Sequence, residues 1–141
     1  MTSPSNAFQA GIYARLTSYA PLTALVGTKI YDHVPQDETA PYVVIGDHTA
    51  TDWSTKTRNG WEYTVTIHAW DFERAGRKSV NAILSAIYDA LHQAEGAITV
   101  AGFDLIQLHF DNEVPAYPEP GTEGAGDHYY HGVIRFRALL Q

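Results

Sequence analysis

A chain of 141 residues, 45% apolar and 18% charged, has the composition of one globular domain long enough to bury a real core. It contains no cysteine, which excludes disulfides, thiolate metal sites and a cysteine nucleophile. A net charge of −7 argues against tight sequence-reading of nucleic acid, which needs a basic footprint, but does not exclude contact with DNA that must slide past without sticking.

Residues 1–5 read as a loose terminus. Met1 to Asn6 has neither a basic region nor an apolar signal core, so no leader is expected. No run of about 18 apolar residues is present to span a membrane as a helix. Asn6 can cap a helix running to about Ser18, with Phe8, Ile12 and Leu16 along one stripe. Pro21 opens a second short helical turn through Leu22, Leu25 and Val26, which Gly27 closes. Lys29 to Val34 reads as a short strand ended by Pro35. Tyr42 to His48 reads as another, apolar on both faces at its start and hence central in a sheet. Thr49 to Gly60 follows as a long hairpin loop, with the turn dipeptide Asn59-Gly60 at its end.

The strongest signal comes next. Trp61, Tyr63, Val65, Ile67 and Ala69 alternate with Glu62, Thr64, Thr66, His68 and Trp70, a strand with one apolar face. After a turn over 71–76 the period becomes helical. Val80, Ile83, Leu84, Ile87 and Leu91 form one stripe, opposite Arg77, Lys78, Asn81, Ser85, Asp89 and His92, and Gly96 marks the C-terminus. Strand face and helix stripe should bury each other. Ala97 to Val100 reads as a short strand, and Phe103 to Phe110 as a longer one with Ile106, Leu108 and Phe110 on one face. Asn112 to Asp127, rich in proline, glycine and acid, reads as a long loop. Tyr129 to Leu140 is the last strand, with Tyr130, Ile134, Phe136, Ala138 and Leu140 on one face. The order predicts an α+β fold over residues 1–141. It is a single domain whose mostly antiparallel β-sheet is packed by the N-terminal helix and the long central helix.

No catalytic constellation emerges. The seven histidines are scattered, without the paired helical spacing of a zinc protease, so no metal is expected. Asp32-His33 and Asp47-His48 resemble triad fragments, but strand neighbours point apart. No Gly-x-Ser-x-Gly elbow and no phosphate-cradling glycine loop occurs, and no cofactor is expected. Trp53, Lys56 and Arg58 on the hairpin loop are the best partner-contact candidates, because Trp and Arg are common interface anchors. A small hydrolase built on a histidine and a carboxylate, and a nucleic-acid module, are the readings from other classes. The first lacks convergent groups and the second lacks basic charge.

The order of segments resembles the small tail completion, or tail terminator, proteins of long-tailed phages and phage-like gene transfer agents. The residues that carry it are Pro21-Leu22-Thr23-Ala24-Leu25-Val26-Gly27, Ile30-Tyr31-Asp32-His33-Val34-Pro35 and Ala40-Pro41-Tyr42-Val43-Val44-Ile45-Gly46. Trp53-Ser54-Thr55-Lys56-Thr57 before Gly60, Thr64-Val65-Thr66-Ile67-His68-Ala69-Trp70 and Gly76-Arg77 complete it. The resemblance implies a structural virion protein without an active site, made in the bacterial cytoplasm. Such a protein forms a ring, typically a hexamer, at the head-proximal end of the tail tube. The ring ends tail polymerisation and joins tail to head. Its implied partners are further copies of itself, the major tail tube protein, a head–tail connector protein and DNA passing through the ring without sequence-specific binding, with no membrane. Another head–tail connector ring, adaptor or stopper, is the alternative. In a ring, Glu113, Glu119, Glu123 and Asp127 of the acidic loop are the candidates to line the channel.

Overall fold

The computed structural model describes residues 2–119 and 128–141. Its elements are α1 (Ser5–Ser18), α2 (Ala20–Val26), β1 (Ile30–Tyr31), β2 (Tyr42–Asp52), β3 (Trp61–Phe72), α3 (Gly76–Leu91), β4 (Leu105–Pro118) and β5 (Tyr129–Leu140). The strands form one sheet in the order β1-β2-β3-β5-β4, antiparallel except for the β1–β2 pair. The expected α+β class is therefore the observed one.

One sheet face carries the core. Tyr63, Val65, Ile67 and Ala69 of β3 are buried with Ile134, Phe136, Ala138 and Leu140 of β5. The α3 stripe Val80, Ile83, Leu84, Ile87 and Leu91 joins them, as does the α1 stripe Phe8, Ile12 and Leu16. These are the residues whose two periods matched in the sequence. Gly132 of β5 is the seat of α3: a Cβ there would stand 2.7 Å from Leu84 Cδ1 and Val80 Cγ1. Helix and strand approach this closely only because that side chain is missing.

The helix ends at Leu91, five residues before Gly96. His92 turns extended and Gln93 adopts a left-handed φ of 56°, so that its N–H reaches Leu108 O at 2.9 Å. Several boundaries differ from expectation. Only Ile30 and Tyr31 of the first predicted strand pair with β2. β2 runs on to Asp52, which shortens the hairpin loop, and β3 continues to Phe72, past the expected turn. Residues 97–100 form no strand. Ile98 and Val100 are buried there, with the Thr99 carbonyl pressed so close to α1 that a Cβ on Gly11 would lie 2.6 Å from it. Ile106, expected beside Leu108 and Phe110 in the core, is 47% exposed, because a register shift between Leu105 and Gln107 turns it out. Phe110 is 36% exposed at the sheet edge, against Tyr88 and Phe136.

The largest correction concerns the acidic segment. Residues 112–118 are not a loop but the second half of β4, paired with β5 from Arg135 to Tyr130. Prolines do not break the strand because β4 is an edge strand with register shifts at three places, one of them spanning Pro115. Side chains from α3 and the turn after it close its outer edge. Glu95 Oε1 accepts from Leu108 N–H (2.9 Å), His92 Nδ1 from Phe110 N–H (3.0 Å) and Asn81 Oδ1 from Ala116 N–H (3.0 Å).

Ile87 has no exposed surface. Ile87→Asp places an unpaired carboxylate in this core and should destabilise the fold by about 4 kcal/mol or more. Chemical denaturation checks this, and a variant that melts like the parent would show that the α3 stripe is not core.

Candidate functional site

The hairpin tip after β2 spans residues 53–60. Trp53 N–H donates to Gly60 O (2.9 Å), and Ser54 Oγ accepts from Gly60 N–H (3.1 Å). Gly60 cannot carry a side chain here, since a Cβ would lie 2.6 Å from Trp53 O and 3.0 Å from the Trp53 ring. The indole thus rests on Gly60 and still exposes 37% of its surface. Lys56 is exposed at the tip. Arg58 differs: its guanidinium donates to the Asp104 carboxylate, fastening the hairpin to the start of β4. Of the three hairpin candidates, Trp53 and Lys56 are displayed and Arg58 is engaged within the chain.

The channel candidates are scattered. Glu113 is exposed on β4, opposite Ile134 in register. Glu119 is fixed at the end of β4, its N–H donating to Tyr129 O (2.8 Å) and its carboxylate accepting from His131 Nδ1–H (2.7 Å). Glu123 and Asp127 lie outside the described residues.

The sheet face away from the helices carries a cluster that the sequence reading missed. Trp70 and His131 stack at 4.2 Å, and His68 stacks on both at 5.4 and 5.0 Å. Tyr42 tilts against Trp70 at 5.3 Å. A carboxylate can only accept, so the hydrogen on His131 Nδ1 points to Glu119, with Tyr117 Oη 2.8 Å from the same nitrogen. His131 Nε2 is then left to accept from His68 Nδ1–H at 2.8 Å. Room for the His68 ring comes from Gly46, where a Cβ would stand 2.8 Å from it, in the β2 bulge between Ile45 and His48. Seeing this cluster requires the register that sets His68 opposite Val133 and Trp70 opposite His131, and alternation alone does not supply it.

Burial holds both histidines below the usual value of 6.5. The nearby His131 adds to this for His68, while the Glu119 charge opposes it for His131. Burial likewise lowers His48, whose side chain faces Phe8 with Nδ1 2.9 Å from Gly46 O. Neither Asp-His pair forms a dyad: His33 is exposed beyond β1, and Asp47 is exposed while the adjacent His48 ring packs against the core. Among the described residues no group of three or more His, Asp or Glu side chains is placed to hold a metal ion.

The arrangement is thus that of an α+β domain that displays a hairpin, an aromatic sheet face and a sheet edge. A family model for "Tail completion protein gp17" matches residues 10–141. The chain is similar to the tail completion protein gp17 of Bacillus phage SPP1, 33% identical over 136 residues, covering 96% of this chain and 93% of that one. It also superposes on a chain in the solved virion of a native gene transfer agent (GTA) particle, with a TM-score of 0.81 and 30% identity, covering 99% of this chain and 98% of that one. The chain belongs to the tail completion protein gp17 family, and with it to the structural proteins of phage and gene-transfer-agent virions.

The histidine pair sets a pH dependence. Both folded values are lowered, so below about pH 6.5 the unfolded chain binds protons that the folded chain resists. Stability is unaffected by this pair above that value and falls as the pH drops below it, by at most about 1.4 kcal/mol per pH unit for each histidine. Melting temperature measured from pH 7.5 to 5.5 should fall, and His68→Gln with His131→Gln should flatten the slope. An unchanged slope in the double variant would show that the pair is not held neutral.

Proposed function

We propose that the protein assembles into a closed ring of six copies at the head-proximal end of a phage-type tail tube. There it stops tail polymerisation and joins tail to head without catalysis. The observation that carries this reading is the end-to-end likeness, at 30% identity, to a chain of an assembled gene-transfer-agent virion. Closed symmetry multiplies one modest contact and prevents further growth, which is what a terminating component needs. The partners in this reading are further copies of the chain, the major tail tube protein and the head–tail connector protein, with DNA passing through the centre.

Trp53 and Lys56 are the hairpin groups offered to a neighbour or to the tube. A half-exposed indole on a short hairpin held from within by Arg58–Asp104 is pre-organised for such a contact. With −7 per chain, a ring repels a phosphate backbone. Glu113, Glu123 and Asp127 remain the channel candidates, whereas the Glu119 carboxylate is committed to His131.

One assembly assay with two variants tests both parts. Trp53→Ala with Lys56→Ala should weaken tail capping by about 10-fold or more, since an anchor of this kind contributes on the order of 2 kcal/mol. Both side chains lie outside the core, so the isolated chain should melt within about 0.5 kcal/mol of the parent. Wild-type capping would remove the hairpin from the interface. Glu113→Lys with Glu123→Lys and Asp127→Lys should leave assembly intact but retain DNA in a salt-sensitive way. No gain in DNA affinity at low salt would remove these residues from the channel.

A further inference from the structure

The two edges of the sheet are finished differently. The β4 edge is bulged and covered by Glu95, His92 and Asn81. The β2 edge is covered only where β1 pairs with Val43 and Val44. Beyond Tyr31 the chain leaves the sheet, and β2 continues to Asp52 with no strand on its outer side among the described residues. After the bulge, His48 to Asp52 runs in regular register with Val65 to Trp61 of β3.

Which backbone groups face outward follows from alternation. Trp53 N–H donates to Gly60 O, the pair that continues the Asp52–Trp61 register. Antiparallel bonds alternate, so Thr51 and Thr49 bond to β3, while His48, Ala50 and Asp52 turn their N–H and C=O groups away from it. At the other end Val43 N–H points outward to Lys29 O, which agrees with this phase. The usual guards of a sheet edge, lysine and proline, are missing from residues 46–52, which read Gly-Asp-His-Thr-Ala-Thr-Asp.

We infer that the β2 edge from His48 to Asp52 accepts an extended, basic segment of another protein of the particle, which adds to the sheet as a further strand. Main-chain hydrogen bonds supply affinity and side-chain charge supplies selection. The edge is acidic. Asp47 and Asp52 are exposed, as is Asp32 just after β1, and among the described residues none of the three has a cation within ion-pair distance. Asp52 accepts from the Ser54 hydroxyl at 2.6 Å. The same charge disfavours a second copy as the added strand. Antiparallel self-pairing must join outward groups to outward groups; centred on Ala50, for instance, it would gather Asp47 and Asp52 of both copies, four carboxylates, along one short seam.

The source of the strand in the particle rests on the tail-assembly reading above, but binding at this edge does not, so the test uses the isolated full chain. A short synthetic peptide alternating lysine and valine is titrated against the isotope-labelled protein, and amide hydrogen exchange is followed by NMR. The Ala50 and Asp52 amides should become protected. Ala50→Pro, which removes an outward N–H, should weaken binding by about 10-fold or more. Should that variant fail to fold, Asp47→Lys with Asp52→Lys, which spares the backbone, should abolish binding. A matching glutamate–valine peptide should not bind. Exchange at Ala50 and Asp52 unchanged by the lysine peptide would overturn the inference, as would equal binding of the glutamate peptide. So would amides already protected in a dimer of the free protein that Ala50→Pro dissociates, because the edge would then pair copies of this chain. Failure of the ring reading with these results intact would leave the edge site standing.

Discussion

Packing of one α3 stripe onto one face of β3 and β5 is the constraint from which the rest of the molecule follows. It buries Ile83, Leu84, Ile87 and Leu91 against Val65, Ile67, Ile134 and Phe136, and draws α1 in beside it through Phe8, Ile12 and Leu16. Because α1, α2 and α3 all contribute to this single core, the opposite sheet face has no helical cover among the described residues. Its residues must shield one another, and they do so by stacking Trp70, His131 and His68 and by passing hydrogen bonds from His68 through His131 to Glu119. The same commitment determines the edges. Asn81 of α3 and His92 just after it reach β4, whereas β1 stops at Tyr31, opposite Val44 and short of the far end of β2.

This economy suits a component of an assembly. A two-layer domain of this size keeps one layer for its own stability and leaves a face, an edge and a hairpin available to neighbours. Family membership and the virion-derived structural relative give those surfaces a setting. Their chemistry is selective: aromatic on the open face, acidic along the β2 edge, and an indole with one free lysine at the hairpin tip. None of them brings a nucleophile, a base and its orienting group together, and the most closely coupled titratable groups spend their hydrogen-bonding capacity on one another.

The sequence disclosed those parts whose period was uninterrupted. β3, α3 and β5 each bury one clean stripe, and alternation or helical spacing found them along with their core residues. β4 was half hidden because its second part combines Pro115 and Pro118 with Glu113 and Glu119, a loop-like composition that an edge strand with bulges can accommodate. Residues 97–100 erred in the opposite direction. Ile98 and Val100 alternate like a strand, but what buries them is contact with the helical layer rather than a ladder. The His68–His131–Glu119 chain was beyond reach for a different reason: it depends on register across three strands and on Gly46 leaving space for a ring from β3. Of the hairpin residues, the exposure of Trp53 and Lys56 could be anticipated, but the capture of Arg58 by Asp104 is a contact across 46 residues that no local pattern signals.

The central claim is that the chain acts by closing into a ring on a tail. Its most direct test is the particle mass in solution, joined to negative-stain images of the purified protein and of tails capped with it. The account predicts a homogeneous assembly of six 15.6 kDa chains with a central opening, seated at the head-proximal end of the tube. A protein that stays monomeric at every concentration, and adds no density to that end of the tails, would contradict it.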